Sequence, residues 1–337
     1  MAPLNDLDRS SSPLFSQAIC AWSTCEFLMS DIQAKPIIQA VGLRKDYGVF
    51  HAVKGIDFEV MPGEIFGMLG PNGAGKTTTM RMLSSVSPIT AGQIFIDGLN
   101  VEDEPRKVRD RIGVVAQHDG LDQDLNVHQN LVTYARYFSI TGKAAQERAR
   151  EMLEFFGLDH RSGSSIHTLS GGMKRRLTLA RAFMTRPKVV ILDEPSTGLD
   201  PQSRNRVWEQ LFRIRDAGAT ILMSTHYMEE AAQLCDRLVI MDNGNILSRG
   251  TPDDLVLEHA GSLTAVIRPN NGSGTAVRTA LEESGKVVRD RGTSMVVHGP
   301  EELRSELAQI PDATVRFRVS TLEDVFLNLT GRELREE

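Results

Sequence analysis

The sequence predicts an α/β protein: a mixed, mostly parallel sheet wrapped by helices, followed by a small C-terminal α+β domain. Three observations predict it. The apolar run Glu64-Ile65-Phe66-Gly67-Met68-Leu69 enters Gly70-Pro71-Asn72-Gly73-Ala74-Gly75-Lys76-Thr77-Thr78, and Thr79-Met80-Arg81-Met82-Leu83 follows with helical apolar spacing. Val189-Val190-Ile191-Leu192 is a fully apolar run of strand length that closes on Asp193-Glu194. Elsewhere short apolar runs alternate with amphipathic helical stretches, the pattern of strand–helix–strand units.

In chain order, apolar positions alternate between Ile37 and Val60, as in Ile37-Ile38-Gln39-Ala40-Val41 and Ile56-Asp57-Phe58-Glu59-Val60. That predicts strands about an Asp46-Tyr47-Gly48 turn. Met61-Pro62-Gly63 is a second turn, ahead of the buried strand 64–69. Gln93-Ile94-Phe95-Ile96-Asp97-Gly98 is a short strand closing at a turn. Arg111-Ile112-Gly113-Val114-Val115-Ala116-Gln117 is a buried strand ending on a polar residue. After a polar loop to Asn126, helices are expected over Val127–Phe138 and Ala144–Phe156. Ser170-Gly171-Gly172 opens a helix over Leu169–Met184 that stops before Pro187. Val189–Leu192 is strand, Pro201–Arg215 helix, Thr220–Met223 strand and Met228–Cys235 helix. Arg237–Met241 and Asn245–Ser248 form a hairpin about Asp242-Asn243-Gly244. Composition changes after Gly250-Thr251-Pro252, and Asn270-Asn271-Gly272-Ser273-Gly274 is linker-like. Short β runs at Met295-Val296-Val297 and Thr314-Val315-Arg316-Phe317, with helices between them, make up the appended α+β domain.

At 337 residues and 41% hydrophobic, the chain can bury a full core and has the length of two domains. Its formal net charge of −6, from 38 basic and 44 acidic side chains, opposes a dedicated nucleic-acid binder, so no nucleic-acid partner is expected. Cys20, Cys25 and Cys235 make no disulfide framework and lack metal-ligand spacing; reduced thiols and a cytosolic setting follow. No segment approaches the uninterrupted apolar length that a bilayer requires. The nearest to a targeting signal, Leu14–Met29, is interrupted by Ser16, Gln17, Ser23, Thr24 and Glu26 and lacks a positive leader. Residues 1–35, rich in Ser, Asp and Pro, are expected to be a poorly ordered extension, with Met29 an alternative start.

The glycine-rich turn between strand and helix is a P-loop: backbone N–H groups and a helix N-terminus converge on phosphates. Lys76 would sit between the outer phosphates, and Thr77 would ligate Mg²⁺. At the end of the apolar run, Asp193 would hold Mg²⁺ through water. Glu194 would point to the γ-phosphate and polarise the attacking water. The lesser alternative for the acidic pair is a helix cap, which the Pro195 that follows counts against. Leu169-Ser170-Gly171-Gly172-Met173 sets a hydroxyl and two unhindered amides at a helix start, which suits an anion. By itself that too could be a simple cap. His226 after Ser224-Thr225 ends a strand where it could reach the γ-phosphate.

Together these motifs resemble the ATP-binding cassette ATPases, the nucleotide-binding subunits of ABC transporters, over roughly Ile37 to Gly250. The resemblance implies a P-loop cassette of mixed sheet with a helical subdomain. By it, Tyr47 stacks on adenine, and Gly70, Pro71, Asn72, Gly73, Ala74, Gly75, Lys76, Thr77 and Thr78 form Walker A. Gln117 is the Q-loop glutamine contacting Mg²⁺ and water, and Val189–Glu194 is Walker B. Thr197, Gly198, Leu199 and Asp200 form the D-loop, and His226 is the switch histidine. Leu169, Ser170, Gly171, Gly172 and Met173 form the signature, which faces the ATP of a second copy in a head-to-tail dimer. ATP and Mg²⁺ are the implied ligands, and hydrolysis of ATP to ADP and phosphate the implied reaction.

The signature departs from the family's usual Gln by ending on Met173, followed by Lys174-Arg175-Arg176. That run is similar to the ABC-2 type drug-exporter (daunorubicin-resistance) and nodulation-factor exporter ATPases, as are Asn130-Leu131, Tyr134, Arg136-Tyr137-Phe138 and the tail Thr321–Gly331. The resemblance implies export through a separately encoded membrane permease, which docks on Asp119–Asp122 and the helix to Phe138. The subunit would be peripheral on the cytoplasmic face of the inner membrane. The expected division is an extension over 1–35, a cassette over 36–255 with a helical subdomain near 118–185, and an accessory domain over 256–337. A soluble ABC ATPase acting on ribosomes or nucleic acid is the alternative. One P-loop, one signature and no extended heptads count against it.

Overall fold

The computed structural model describes residues 35–270, 272–307, 310 and 312–331. The expected extension, apart from Lys35, lies outside the described residues. An antiparallel sheet comes first: β1 (Ile38–Tyr47), β2 (Phe50–Val60), β4 (Ala91–Ile96) and β5 (Leu99–Asn100), in the order β2-β1-β4-β5. The central six-stranded sheet runs β10-β9-β3-β8-β7-β6. It comprises β3 (Ile65–Leu69), β6 (Ile112–Val115), β7 (Val189–Asp193), β8 (Thr220–Thr225), β9 (Arg237–Asp242) and β10 (Asn245–Gly250). Strands β9 to β6 are parallel, and β10 closes one edge antiparallel. Every residue of β3, β7 and β8 is buried, which is why 65–69, 189–192 and 221–223 are apolar runs with no alternation, while Asp193, Ser224 and Thr225 at the strand ends are polar. The β9–β10 turn places Asn243 and Gly244 at φ 47° and 79°, the left-handed pair that a two-residue hairpin turn needs.

Helices are α1 (Lys76–Leu83), α2 (Pro105–Arg109), α3 (Val127–Arg136), α4 (Gly142–Phe155), α5 (Gly171–Ala182), α6 (Pro201–Asp216), α7 (Met228–Leu234) and α8 (Pro252–His259). One apolar core lies between the two sheets and includes Ile38, Phe58, Phe66, Met68 and Met80. A second joins the central sheet to α3–α6 through Leu131, Leu153, Phe156, Leu177 and Leu211. Two sequence expectations are corrected at their ends. The strand expected to reach Gln117 stops at Val115, so Gln117 stands on a loop. The helix expected from Leu169 starts at Gly171, with Ser170 as an extended N-cap, and Met184 lies in a separate short turn of 3-10 helix.

The C-terminal part is β11 (Leu263–Pro269), α9 (Gly274–Glu283), β12 (Val288–Arg291), β13 (Ser294–Gly299), α10 (Leu303–Leu307) and β14 (Ala313–Val319). Its antiparallel sheet has the order β12-β13-β11-β14, a split βαββαβ unit. Leu263, Ala265, Ile267, Val277, Leu281 and Val297 form its own core. The last helix, α11 (Leu322–Thr330), leaves that core: Leu322, Val325 and Phe326 are buried with Leu234, Leu255 and Ala260 in the core of the cassette. Residues 255 and 256, where the sequence suggests a division, both lie within α8.

Candidate active site

Register sets the site. Leu69 of β3 pairs with Thr225 of β8, Asp193 of β7 with Ser224 of β8, and Val115 of β6 with Leu192 of β7. The C-terminal ends of four adjacent parallel strands are therefore level, and the loops that leave them meet at one edge, where open α/β sheets form sites. The P-loop leaves β3, Gln117 follows β6, Glu194 follows β7 and His226 follows β8.

The P-loop is built to keep its backbone close to its neighbours. Gly75 has φ 103°, and a Cβ there would lie 2.7 Å from the carbonyl oxygen of Ala52. No other residue type fits that position without shifting β2. Gly244 of the hairpin donates to the Ala74 carbonyl and accepts from the Lys54 amide, fixing the loop from outside. Lys76, 4% exposed, donates to the carbonyls of Gly70 at 2.6 Å and Pro71 at 3.0 Å, with Glu194 Oε1 3.9 Å away. Burial pushes its ammonium below the usual lysine range, against the pull of Glu194 and Asp193.

Asp193 Oδ1 accepts from Thr77 Oγ1 at 3.2 Å and from Ser224 Oγ at 2.5 Å. Ser224 Oγ also accepts from the Glu194 amide at 3.1 Å. This serine was not assigned a role from the sequence. It sits inside an apolar strand, and only the register of β7 on β8 shows its use.

Glu194 is the centre of the constellation. Its Oε1 meets His226 Nδ1 at 3.1 Å; its Oε2 accepts from Thr197 Oγ1 at 3.1 Å and Gln117 Nε2 at 3.3 Å. The hydrogen bond from His226 holds its carboxyl below the usual glutamate range, outweighing burial, with Lys76 and Thr197 helping. It is a carboxylate at neutral pH. Its backbone has φ 49°, a left-handed conformation that costs on the order of 1–3 kcal/mol and that its surroundings must hold. Thr197 thus acts on the carboxylate directly, while Asp200 of the same loop caps α6 by accepting from the Ser203 amide at 2.9 Å.

Signature residues Ser170 and Gly171 are solvent-exposed at the start of α5, and Ser170 Oγ accepts from the Met173 amide at 3.3 Å. Gly172 is buried: a Cβ there would fall 2.6 Å from Ser203 Oγ and 2.7 Å from its Cβ, so glycine lets α5 meet the start of α6. Tyr47, 48% exposed, ends β1 with Lys45 Nζ 5.1 Å from its ring centre. The described contacts of Glu194 join Lys76, Gln117, Thr197 and His226; neither Tyr47 nor residues 169–173 are among them.

Comparison with known proteins agrees with this geometry. A family model described as "ABC transporter" matches residues 53–197. The Nod factor export ATP-binding protein I of Ralstonia nicotianae is 40% identical over 313 residues, 90% of this chain and 97% of that protein. The protein of the same name from Burkholderia orbicola is 42% identical over 296 residues, 87% of this chain and 97% of that one. Among solved structures, cbiO1 from Clostridium perfringens, part of the ABC transporter complex cbiONQ, superposes with a TM-score of 0.62 at 26% identity, over 74% of this chain and 95% of that one. An ATP-binding subunit of an ABC transporter gives 0.60 at 29% identity, over 66% and 92% of the two chains. With the cassette fold, the P-loop and the carboxylate beyond β7 all in place, the chain belongs to the ABC transporter family, as an ATP-binding subunit with ATPase activity.

Proposed function

We propose that this chain drives an ABC-2 type export system, pairing head to tail with a second copy and coupling ATP turnover to efflux through a separate membrane permease. The observation that carries the hydrolytic part is the Glu194 carboxylate, ionised and held by three loops beside Lys76. Phosphoryl transfer needs an in-line nucleophile and charge neutralisation more than covalent chemistry. Lys76 and the P-loop amides would neutralise the outer phosphates. Glu194 would orient the attacking water and take its proton, with His226 keeping the carboxylate ionised and aimed. Tyr47, exposed at the end of β1, would stack on the base.

The donors are those that Mg²⁺ takes: the hydroxyl of Thr77 beside the Asp193 carboxylate, with the amide oxygen of Gln117, all hard oxygens. Mg²⁺ is commonly held by one or two carboxylates together with substrate phosphates. Thr77 and Gln117 would bind it directly, and Asp193 through water; when bound it supplies further charge neutralisation on the phosphates.

Two features support the assembly. Ser170 and Gly171 present a capped helix start to solvent, free to meet the triphosphate of a second copy. No helix of the described residues is long and apolar enough to cross a membrane, and the reading assigns the path for cargo to a separate permease. The export reading draws on the Nod factor export relatives. The loop at Asp119–Gly120, pinned by Arg181, and the exposed ring of Tyr137 beyond α3 form the surface offered to the permease at the inner face of the membrane.

The test is Glu194→Gln. It should keep ATP binding, lose about 10²–10⁴ in kcat and accumulate an ATP-bound dimer on size exclusion. Turnover at the parental rate would remove Glu194 from this role. An ATP-loaded variant that stays monomeric even with its permease present would remove the dimer.

A further inference from the structure

The signature ends on Met173 and is followed by Lys174-Arg175-Arg176, and the structure buries the second of these three cations. Arg175, on the second turn of α5, is 5% exposed. Its guanidinium bonds main-chain carbonyls: Nε donates to Pro195 at 2.7 Å, Nη1 to Ala116 at 2.7 Å, and Nη2 to Asp193 and Glu194 at 3.1 Å each.

We infer that Arg175 is a positioning residue for hydrolysis, tying the signature helix to the peptide ahead of Gln117 and to the three successive peptides around Glu194. The inference rests on Glu194 orienting the attacking water. Glu194 is held at both ends of its own unit: its amide donates to Ser224 O at 3.2 Å and Ser224 Oγ at 3.1 Å, and its carbonyl accepts from Arg175. A residue at φ 49° relaxes unless its neighbouring peptides are fixed, and Arg175 fixes those on either side. The same fork reaches the carbonyl of Ala116, so Gln117 and Glu194, which touch at 3.3 Å through their side chains, are also joined through the backbone behind them. Asp119, Glu230, Asp193 and Glu194 supply the negative charge around the buried cation. The arrangement makes the start of α5, the Gln117 loop and the carboxylate one body. A displacement of the signature helix by a partner copy would then reach the water-orienting group without passing through nucleotide.

A lysine keeps the charge but has one nitrogen where the fork has three, and cannot hold carbonyls on separate loops at once. In Arg175→Lys of the full chain, kcat per nucleotide-binding site should fall about 10–100-fold, since a misplacement near 1 Å costs about that much. KM for ATP should stay within about twofold, because no bond of Arg175 goes to the P-loop. Sites are counted by titration with a non-hydrolysable ATP analogue, so an unfolded fraction drops out of the result. Hydrogen exchange supplies the second measurement: the amides of 116–118, 194, 196 and 197 should lose protection while those of β3 and α1 keep it. Unchanged kcat per site, a rise in KM matching the fall in kcat, or a loss of protection spread evenly over the cassette would each overturn the inference. Failure of the underlying reading is separable, because it would show as parental turnover in Glu194→Gln whatever Arg175→Lys does.

Discussion

At the scale of single residues, the proposed hydrolysis turns on how one carboxylate is kept charged. Glu194 is almost fully buried, and burial alone would favour its neutral form. The groups facing it decide otherwise: His226 first, then Lys76 and Thr197, with Gln117 donating an uncharged bond. A carboxyl held below its ordinary range contributes fully above that range, and its contribution disappears only as pH falls through the depressed value. The acid limb of kcat in the parental chain should therefore lie below the usual glutamate range. Removing the largest cause raises the carboxyl, so in His226→Ala the limb should move to higher pH while kcat also falls. A pH–rate profile checks this; a limb that stays in place in His226→Ala would show that the histidine does not set the charge. In the sequence, Lys76, Asp193, Glu194 and His226 could each be found because a motif or a strand end marks them. Ser224 and the bond from Thr197 to Glu194 could not, since both depend on strand register and on the path of a turn after Pro195.

At the scale of elements, the parallel strands were legible for one physical reason: a strand covered on both faces is apolar along most of its length, and 65–69, 189–192 and 221–223 are. The Asn243-Gly244 turn was legible because few dipeptides accept two positive φ angles. By contrast, β11 went unseen. Leu263, Ala265 and Ile267 alternate correctly, but the strand ends in Pro269 and runs straight into the Asn270–Gly274 turn signals, which dominate a local reading. Helix packing offers a prediction at this scale. Because a Cβ on Gly172 would strike Ser203, Gly172→Ala should destabilise the chain by about 1–3 kcal/mol through overpacking of α5 on α6. Ser203→Gly makes room at a smaller cost, about 0.5 kcal/mol of helix propensity. The double variant should then be more stable than the sum of the two single changes allows. Thermal unfolding of the four proteins checks it, and simple additivity would show that the clash is relieved some other way.

At the scale of the whole molecule, the C-terminal part is connected to the cassette twice. The chain leaves through α8, builds the βαββαβ unit, and returns through α11. The return is keyed at both ends. Asp324, 1% exposed, accepts from both Nη atoms of Arg318 on β14 and from the Thr321 amide, fixing the start of α11 to the accessory sheet. Burial raises its carboxyl, but these bonds outweigh it and keep it ionised below the usual aspartate range. Asn328 donates to the His259 carbonyl and ties the far end of α11 to α8. Between them Val325 and Phe326, at 0% and 1% exposure, complete the core that Leu234 and Leu255 begin. A cassette cut before this return would expose that apolar surface, so the accessory domain should unfold together with the cassette, as one unit. Phe326→Ala, distant in sequence from every residue of the nucleotide site, should cost about 3–5 kcal/mol. Because the lost packing belongs to the same core as α7 and β3, the loss should lower the temperature at which the nucleotide-binding half melts. Calorimetry of the parental chain and of Phe326→Ala decides the matter: a single transition that shifts down whole is expected. Two transitions, with only one moved by the substitution, would show that the C-terminal domain stands apart from the cassette.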